Sequence, residues 1–182
     1  QNDDKLDKSF LKYFWELTEK RKASKGNFGN WDSVYKHLQK FVKGDILFRD
    51  LDRTFVRDFK EYLTDEALTK SNVQLSANSQ SSYFNKFRAA VNQAVNDGIL
   101  QVNPNKGIRG IKGETPERSY LTLEELKEMA KTECKFPIFK KAFLFSCMTG
   151  LRWSDIHKMT WAEVRDEDNM ANVVFRQKKT KG

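Results

Sequence analysis

Cysteine and histidine, the residues that build disulfide frameworks and many metal sites, are scarce in this chain of 182 residues, which has two of each. Cys134 and Cys147 lack a C-x-x-C or C-x-x-H neighbourhood, and no group of histidine, cysteine and carboxylate residues has ligand spacing. Cys147 falls within an apolar segment, so both thiols are predicted to be reduced and buried in the core. The sequence therefore predicts no disulfide, no metal site and no cofactor.

Long hydrophobic runs are missing as well, since no stretch approaches the roughly 18 apolar residues of a membrane-spanning helix. The N-terminal residues Gln1–Lys5 have neither the apolar core of a signal peptide nor the composition of a transit peptide. We therefore expect a soluble, cytoplasmic protein with no membrane partner.

Positive charge is abundant, with 33 lysines and arginines against 25 acidic residues and a net charge of +8. This excess favours a polyanion or an anionic surface as the partner, although a basic surface without a ligand has the same composition. Hydrophobic residues make up 38% of the chain and aromatic residues 13%, which is enough to build a core in one or two domains.

Helical periodicity dominates the first half of the chain, where apolar residues recur every three or four positions in four segments. The four segments are Leu6–Leu17, Trp31–Val42, Phe55–Leu63 and Phe84–Val95. Turn and cap residues separate them, namely Lys25–Asn30 before the second, Asp50 or Asp52 before the third, and Ser71–Ser79 before the fourth. The pattern predicts a bundle of four helices that ends near Asp97–Gly98.

Composition divides the rest of the chain. Residues 104–117 are rich in glycine, proline and cations without periodicity, which predicts a basic linker after a first domain at 1–103. In the second unit, 118–182, the capping boxes Thr122–Glu125 and Thr160–Glu163 predict helix starts. The apolar segment Ile138–Met148 predicts a helix buried on most sides. Asp166–Asn169 predicts a polar turn, and Asn172–Gln177 a strand.

The most informative stretch is Thr149–Ile156, which reads Thr-Gly-Leu-Arg-Trp-Ser-Asp-Ile. Gly150 suits the left-handed end of the preceding helix, and Ser154 can cap the next one. Arg152 would be rigid yet exposed between them, with Asp155 close enough to hold its guanidinium. Because a guanidinium matches two phosphate oxygens, this turn predicts a phosphate-binding arginine. The alternative is an ordinary turn with a surface arginine.

The fourth helix has a polar, short-chained face. At about 100° per residue, Asn78, Ser79, Ser82 and Lys86 lie opposite the apolar stripe, and we expect them to contact DNA unless the face is simply solvated. The second helix is expected to offer its N-terminus, after Asn30 and near Lys25, to a phosphate. The linker cations complete the predicted DNA contacts; they are Lys106, Arg109 and Lys112.

The stretch Thr149–Ile156 resembles the first-arginine motif T-G-L-R-x-S-[ED]-[IL] of the tyrosine recombinases, or phage-integrase family. The resemblance implies a mainly α fold, with a four-helix core-binding (SAM-like) domain, a basic linker, and a mostly helical catalytic domain with a short strand. It also implies site-specific recombination of double-stranded DNA, the integration or excision of a mobile element in the bacterial nucleoid, through a covalent 3′-phosphotyrosyl intermediate. No cofactor is implied, and self-association on DNA is expected.

The resemblance makes Arg152 the first catalytic arginine and Asp155 its acidic support. It makes Lys179, in preference to Lys178 or Lys181, the lysine that protonates the leaving oxygen; the alternative is a solvated basic tip. The family's H-x-x-R box and nucleophilic tyrosine have no counterpart, because all five tyrosines precede the arginine. We therefore expect a truncated catalytic domain, a fragment that binds DNA but is inert alone. The rival interpretations are a non-catalytic helical DNA-binding regulator and a helical protein-interaction module.

Overall fold

The computed structural model describes residues 3–167 and 170–174, and the chain divides into two compact units, Gln1–Pro116 and Glu117–Gly182. The described residues are mainly helical, with a single two-stranded sheet among them, which confirms the predicted fold class. None of the helices in the described ranges is long and apolar enough to cross a membrane.

The four long helices of the first unit lie where the hydrophobic stripes predict them. They are α2 (Phe10–Glu19), α3 (Lys25–Val42), α4 (Arg53–Asp65) and α5 (Ala77–Asn96), and a single turn, α1 (Asp3–Leu6), precedes them. Side chains cap three of the long helices, because Ser9, Asp52 and Ser76 each accept a hydrogen bond from the backbone N–H three residues later. A 3₁₀ turn at Phe48–Asp50 leads into α4.

Aromatic rings from all four long helices fill the core of the first unit. Phe87 of α5 is fully buried, and its ring centroid lies 4.8 Å from that of Phe59 and 5.9 Å from that of Phe10. Phe14 and Trp31 join α2 to α3 with centroids 5.1 Å apart. Such tilted and edge-on ring pairs add to the free energy gained from burying apolar surface. The apolar stripes therefore meet in one core around α5.

The start of α3 differs from the prediction. The helix begins at Lys25 rather than after Asn30, so the predicted turn is its first two turns. Helical glycines cost only about 1 kcal/mol each, and here a packing contact opposes that cost, because the ring of Phe28 lies 6.3 Å from that of Trp15. The predicted phosphate seat at the helix N-terminus is therefore wrong for Asn30, which lies inside the helix.

Most of the segment predicted as a linker lies against the first unit. We call residues 103–113 the strap. Asn105 is 4% exposed, Pro104 is buried, and Ile108 and Ile111 pack on the hydrophobic core. The strap thus forms part of the first unit, whose boundary falls at Pro116.

The second unit begins with three helices, α6 (Leu123–Lys131), α7 (Pro137–Thr149) and α8 (Trp153–Ile156). The capping box of Thr122 and Glu125 starts α6 as predicted. The prediction that α7 is buried on most sides is wrong, since no residue of α7 is buried. Packing on α6 and α8 covers only part of this helix within the described residues. Cys134 and Cys147 are consequently exposed, not buried as predicted.

A β-hairpin follows the 3₁₀ turn Trp161–Glu163, which has the predicted capping box with Thr160. Strand β1 (Val164–Glu167) pairs antiparallel with β2 (Met170–Val173), and Val164 lies opposite Val173. The polar turn predicted at 166–169 is wrong for its first two residues, which are in β1, because cross-strand pairing outweighs their turn propensity. The strand predicted at 172–177 begins two residues earlier, and its part from 175 onward lies outside the described residues, as do 168–169.

Candidate nucleic-acid interface and arginine turn

Helix α5 has three faces that differ in what covers them. Its core face carries Phe84, Phe87 and Val91, all fully buried. A second face lies under the strap. The third face, which we call the open face, contains the predicted DNA contacts Ser79, Ser82 and Lys86, each of which is partly exposed. The helix is thus covered on two sides and partly accessible on the third.

The open face of α5 has a row of polar groups at helical spacing. The Lys86 ammonium donates to the Ser82 hydroxyl at 2.9 Å, and the Ser79 hydroxyl lies 3.0 Å from that of Ser76. Partial burial lowers the pKa of Lys86. Asn78 is exposed at the edge of this face. Hydroxyls beside a half-buried ammonium are groups that can donate to phosphate oxygens and base edges.

The strap places its predicted cations on one exposed edge. Lys106, Arg109 and Lys112 recur every third residue, and all three are exposed. The segment was predicted to lack periodicity, yet residues 106–113 repeat with a period of three, as Lys-Gly-Ile, Arg-Gly-Ile, Lys-Gly. This period differs from those of helices and strands, and it is the signal in the sequence that indicates an ordered segment.

A second cationic feature that sequence reasoning missed is a cleft of about 670 Å³ between α3 and the loop before α5. Lys36, Lys40 and Lys70 line it, together with Tyr83 of α5. The spacing of Lys36 and Lys40 by four positions was the available signal, since such residues share a helix face. Lys36 also pairs with Asp32 at 2.6 Å.

Buried His37 lies at the wall of this cleft. Its Nδ1 is 3.3 Å from the hydroxyl of Tyr62, and its ring centroid lies 5.6 Å from that of Tyr83. Burial, and secondarily the charge of Lys40, lower the pKa of His37. His37 is therefore an uncharged part of the wall at neutral pH, beside three lysines. Elsewhere on α3, Lys25 and Asn30 are exposed on its first two turns.

The arginine turn of the second unit combines a left-handed residue with a short helix. Gly150 has φ +70° and donates its backbone N–H to Ser146 O at 2.8 Å, which ends α7 as predicted. The Ser146 hydroxyl donates to Leu151 O at 2.6 Å. Arg152 is exposed, and its carbonyl accepts the first backbone bonds of α8. Arg152 is therefore the N-cap residue, and the prediction that Ser154 caps this helix is wrong.

Asp155 lies in the first turn of α8 and is only 1% exposed. In the part of the chain that the structure describes, the ion pair of its carboxylate is with Lys158, with Nζ 3.6 Å from Oδ1, and not with Arg152. Arg152 precedes the helix in an extended conformation, so the three-residue spacing does not place its side chain on the same face as Asp155. Arg152 and Asp155 are thus close in the sequence, but their side chains do not form the predicted ion pair. Lys179 lies outside the described residues.

The comparisons with known proteins agree with the helical first unit. The family model of the phage integrase SAM-like domain matches residues 9–109, which is over half of the chain. The match covers α2 to α5 and the first part of the strap. No curated protein and no solved structure matches the chain significantly.

Proposed function

The chain belongs to the tyrosine recombinase family through its phage integrase SAM-like domain, and from this membership we propose that it binds duplex DNA in a site-specific recombination reaction. Its substrate is the attachment site of a mobile element, on which several copies assemble. The first unit holds the duplex, and the arginine turn contributes to strand cleavage.

One observation supports the DNA-binding part of the proposal most directly. The exposed cations Lys106, Arg109 and Lys112 lie on the strap, which packs along α5. The open face of α5 carries Ser79, Ser82 and Lys86. Phosphate contacts from lysine, arginine and serine position a protein on DNA, while contacts to base edges give sequence preference. The strap suits the first task, and the short side chains of α5 suit an approach to the groove.

Salt dependence tests this interface. If about six phosphates are contacted, the logarithm of the binding constant falls with the logarithm of salt concentration with a slope of about −5. Fluorescence anisotropy with a labelled duplex measures the slope. Lys86→Ala is expected to reduce its magnitude by about one unit. Lys5→Ala is the matched control, because Lys5 contacts Gly98 O beyond the end of α5. No binding at low salt, or binding independent of salt, contradicts the proposal.

We propose that Arg152 stabilises the charge that develops on the phosphate during strand cleavage, with Asp155 supporting the turn and Lys179 donating a proton to the leaving oxygen. The exposed guanidinium on a capped, left-handed turn supports this role, since a group needed at a reacting phosphate must be both rigid and accessible. The chemistry requires neither a metal nor a nucleotide, because the protein's own cations neutralise the phosphate.

DNA-cleavage assays test the catalytic role, and they use the protein expressed from the complete reading frame that contains this sequence. Arg152→Ala is expected to reduce the cleavage rate by a factor of about 10² to 10³, while DNA affinity stays nearly unchanged. Arg165→Ala is the control, because Arg165 is an exposed residue of strand β1. Cleavage at the wild-type rate by Arg152→Ala would refute the role of the turn and favour a regulator that binds DNA without cutting it.

A further inference from the structure

The three-residue repeat gives the strap three edges with different surroundings. Ile108 and Ile111 pack on the core, the intervening cations are exposed, and the glycines approach α4 and α5. Backbone hydrogen bonds from Lys106 N to Asn103 O and from Ile108 N to Asn105 O form turns in the first part of the strap. Residues 108–113 contain no turn, and an extended chain with three residues per turn places every third side chain on the same side. The repeat in the sequence therefore corresponds to a repeat of environment, which a freely moving linker would not have.

On the glycine edge of the strap, two glycines have conformations or contacts that disfavour a side chain. A Cβ atom built on Gly113 would lie 2.6 Å from Asn78 Oδ1, so one of the two residues would have to shift, and Gly107 has φ +80°, where other residues are strained. A Cβ atom on Gly110 would lie 3.4 Å from Arg88 Nη1, an ordinary van der Waals contact. The strap thus runs along α5 from its later turns to its first turn and approaches it most closely at Gly113.

A buried asparagine anchors the other end of the strap. Asn105 Nδ2 donates to Arg88 O at 3.1 Å and to Asn92 Oδ1 at 2.9 Å, and its backbone N–H donates to Asn103 Oδ1 at 2.9 Å. Because Asn105 is 4% exposed, these three bonds are partly shielded from competing water. A further bond, from Asn103 Nδ2 to Asn92 Oδ1 at 2.9 Å, is exposed.

We propose that Asn105 and the glycine edge are positioning residues that hold Lys106, Arg109 and Lys112 as a preformed row, and that this row binds the phosphate groups of one DNA backbone. At about 3.1 Å per residue, Arg109 and Lys112 are about 9 Å apart along the chain, while Lys106 lies in the turn that precedes them. A row ordered before binding loses little conformational freedom when it meets phosphates, whereas a flexible linker with the same charge loses much more. The phosphate part rests on the proposed function; the docking of the strap does not.

Limited digestion with trypsin tests the docking in the absence of DNA, because the protease cuts after lysine and arginine only where the backbone opens. In the wild-type chain, cleavage after Lys106, Arg109 and Lys112 is expected to be at least about tenfold slower than cleavage after the exposed Arg118, which is the internal reference. Mass spectrometry identifies the cuts. Cleavage of the strap as fast as at Arg118 overturns the proposal.

Two variants test the anchors separately. Asn105→Ala is expected to raise the rates of cleavage after Lys106 and Arg109 about tenfold, with the rate at Arg118 unchanged. Gly113→Ala is expected to do the same after Lys112, and adding Asn78→Ala should restore protection by removing the atom in conflict. Protection that is unaffected by both single variants overturns the positioning role. Failure of Gly113→Ala to respond to the second substitution overturns the close contact.

DNA binding then tests whether the three cations must be held in place to bind the duplex. Asn105→Ala leaves the net charge unchanged, yet it is expected to weaken binding to a duplex about tenfold at constant salt. Asn96→Ala, an exposed position near the end of α5, is the matched control and should not. Faster digestion of Asn105→Ala with unchanged affinity overturns the preformed row. If Asn105→Ala does not fold by circular dichroism, Gly113→Ala decides in its place. If the wild-type chain does not bind DNA at all, the proposed function fails while the digestion result stands.

Discussion

Phe87 at the centre of α5 offers the sharpest test of the core that supports the interface. Its side chain is 0% exposed, and four rings surround it, with centroids 4.8 to 6.3 Å away. Phe87→Ala removes a whole ring from a site that rings of α2, α4 and α5 itself enclose, and it leaves a cavity among them. We expect a loss of about 3–5 kcal/mol in the free energy of unfolding, the range for buried aromatic residues replaced by alanine.

Urea unfolding followed by tryptophan fluorescence measures this loss. Trp31 is 4% exposed in the same core, whereas Trp153 and Trp161 of the second unit are exposed already, so the change in emission reports the first unit. Val73→Ala is the control, because Val73 lies in the same unit and is 62% exposed, so its replacement should cost less than about 1 kcal/mol. A loss for Phe87→Ala no larger than that for Val73→Ala would refute the arrangement of helices around α5.

Three further changes have defined outcomes. Burial lowers the pKa of His37 from its ordinary 6.5, so the unfolded chain binds a proton more readily than the folded one. The free energy of unfolding should therefore decline as the pH falls below about 6.5, and His37→Gln should flatten that decline in urea titrations. The Tyr13 hydroxyl donates to Asp97 Oδ2 at 2.7 Å and lowers the pKa of that carboxyl, so Tyr13→Phe should raise the Asp97 pKa in an NMR titration. Ser76→Ala removes the cap of α5 and should cost about 1 kcal/mol in thermal unfolding.

Local patterns were sufficient to predict the long helices. The stripes from Trp31 to Val42 and from Phe84 to Val95 occur within α3 and α5, because each stripe meets the same core. The cap at Asp52 and the left-handed Gly150 were predictable for a similar reason, since both depend on residues within one turn. Features that depend only on residues close together in the sequence could therefore be predicted.

Features that depend on contacts between residues far apart in the sequence could not be predicted in this way. The docking of the strap depends on hydrogen bonds from Asn105 to Asn92 and Arg88 of α5, 13 and 17 positions earlier in the sequence, and its composition alone is that of a flexible linker. The start of α3 depends on the contact between Phe28 and Trp15. The burial of α7 was predicted from its apolar character, which shows what a helix can bury but not which element covers it.

In the candidate site, residue types were easier to predict than partners. The exposed positions of Lys106, Arg109 and Lys112 follow from their charge. Asp155 pairs with Lys158, three positions later, a spacing that brings side chains together on a helical turn, whereas Arg152 precedes α8 as its N-cap residue. The equal spacing of Arg152 and Asp155 was misleading because the residue at which α8 begins is not evident from the sequence. The lysine cleft beside Tyr83 combines α3, α5 and a loop, so only the folded chain shows it.

The exposure of both thiols has a practical consequence for handling the protein. Cys134 and Cys147 are the only cysteines in the sequence, and both lie in the second unit. Without a reducing agent, two molecules can therefore become linked through a disulfide, and a covalent dimer on a gel must not be taken for a recombination assembly. The same placement lets a maleimide dye label the second unit while the predicted DNA contacts of the first unit remain chemically unmodified.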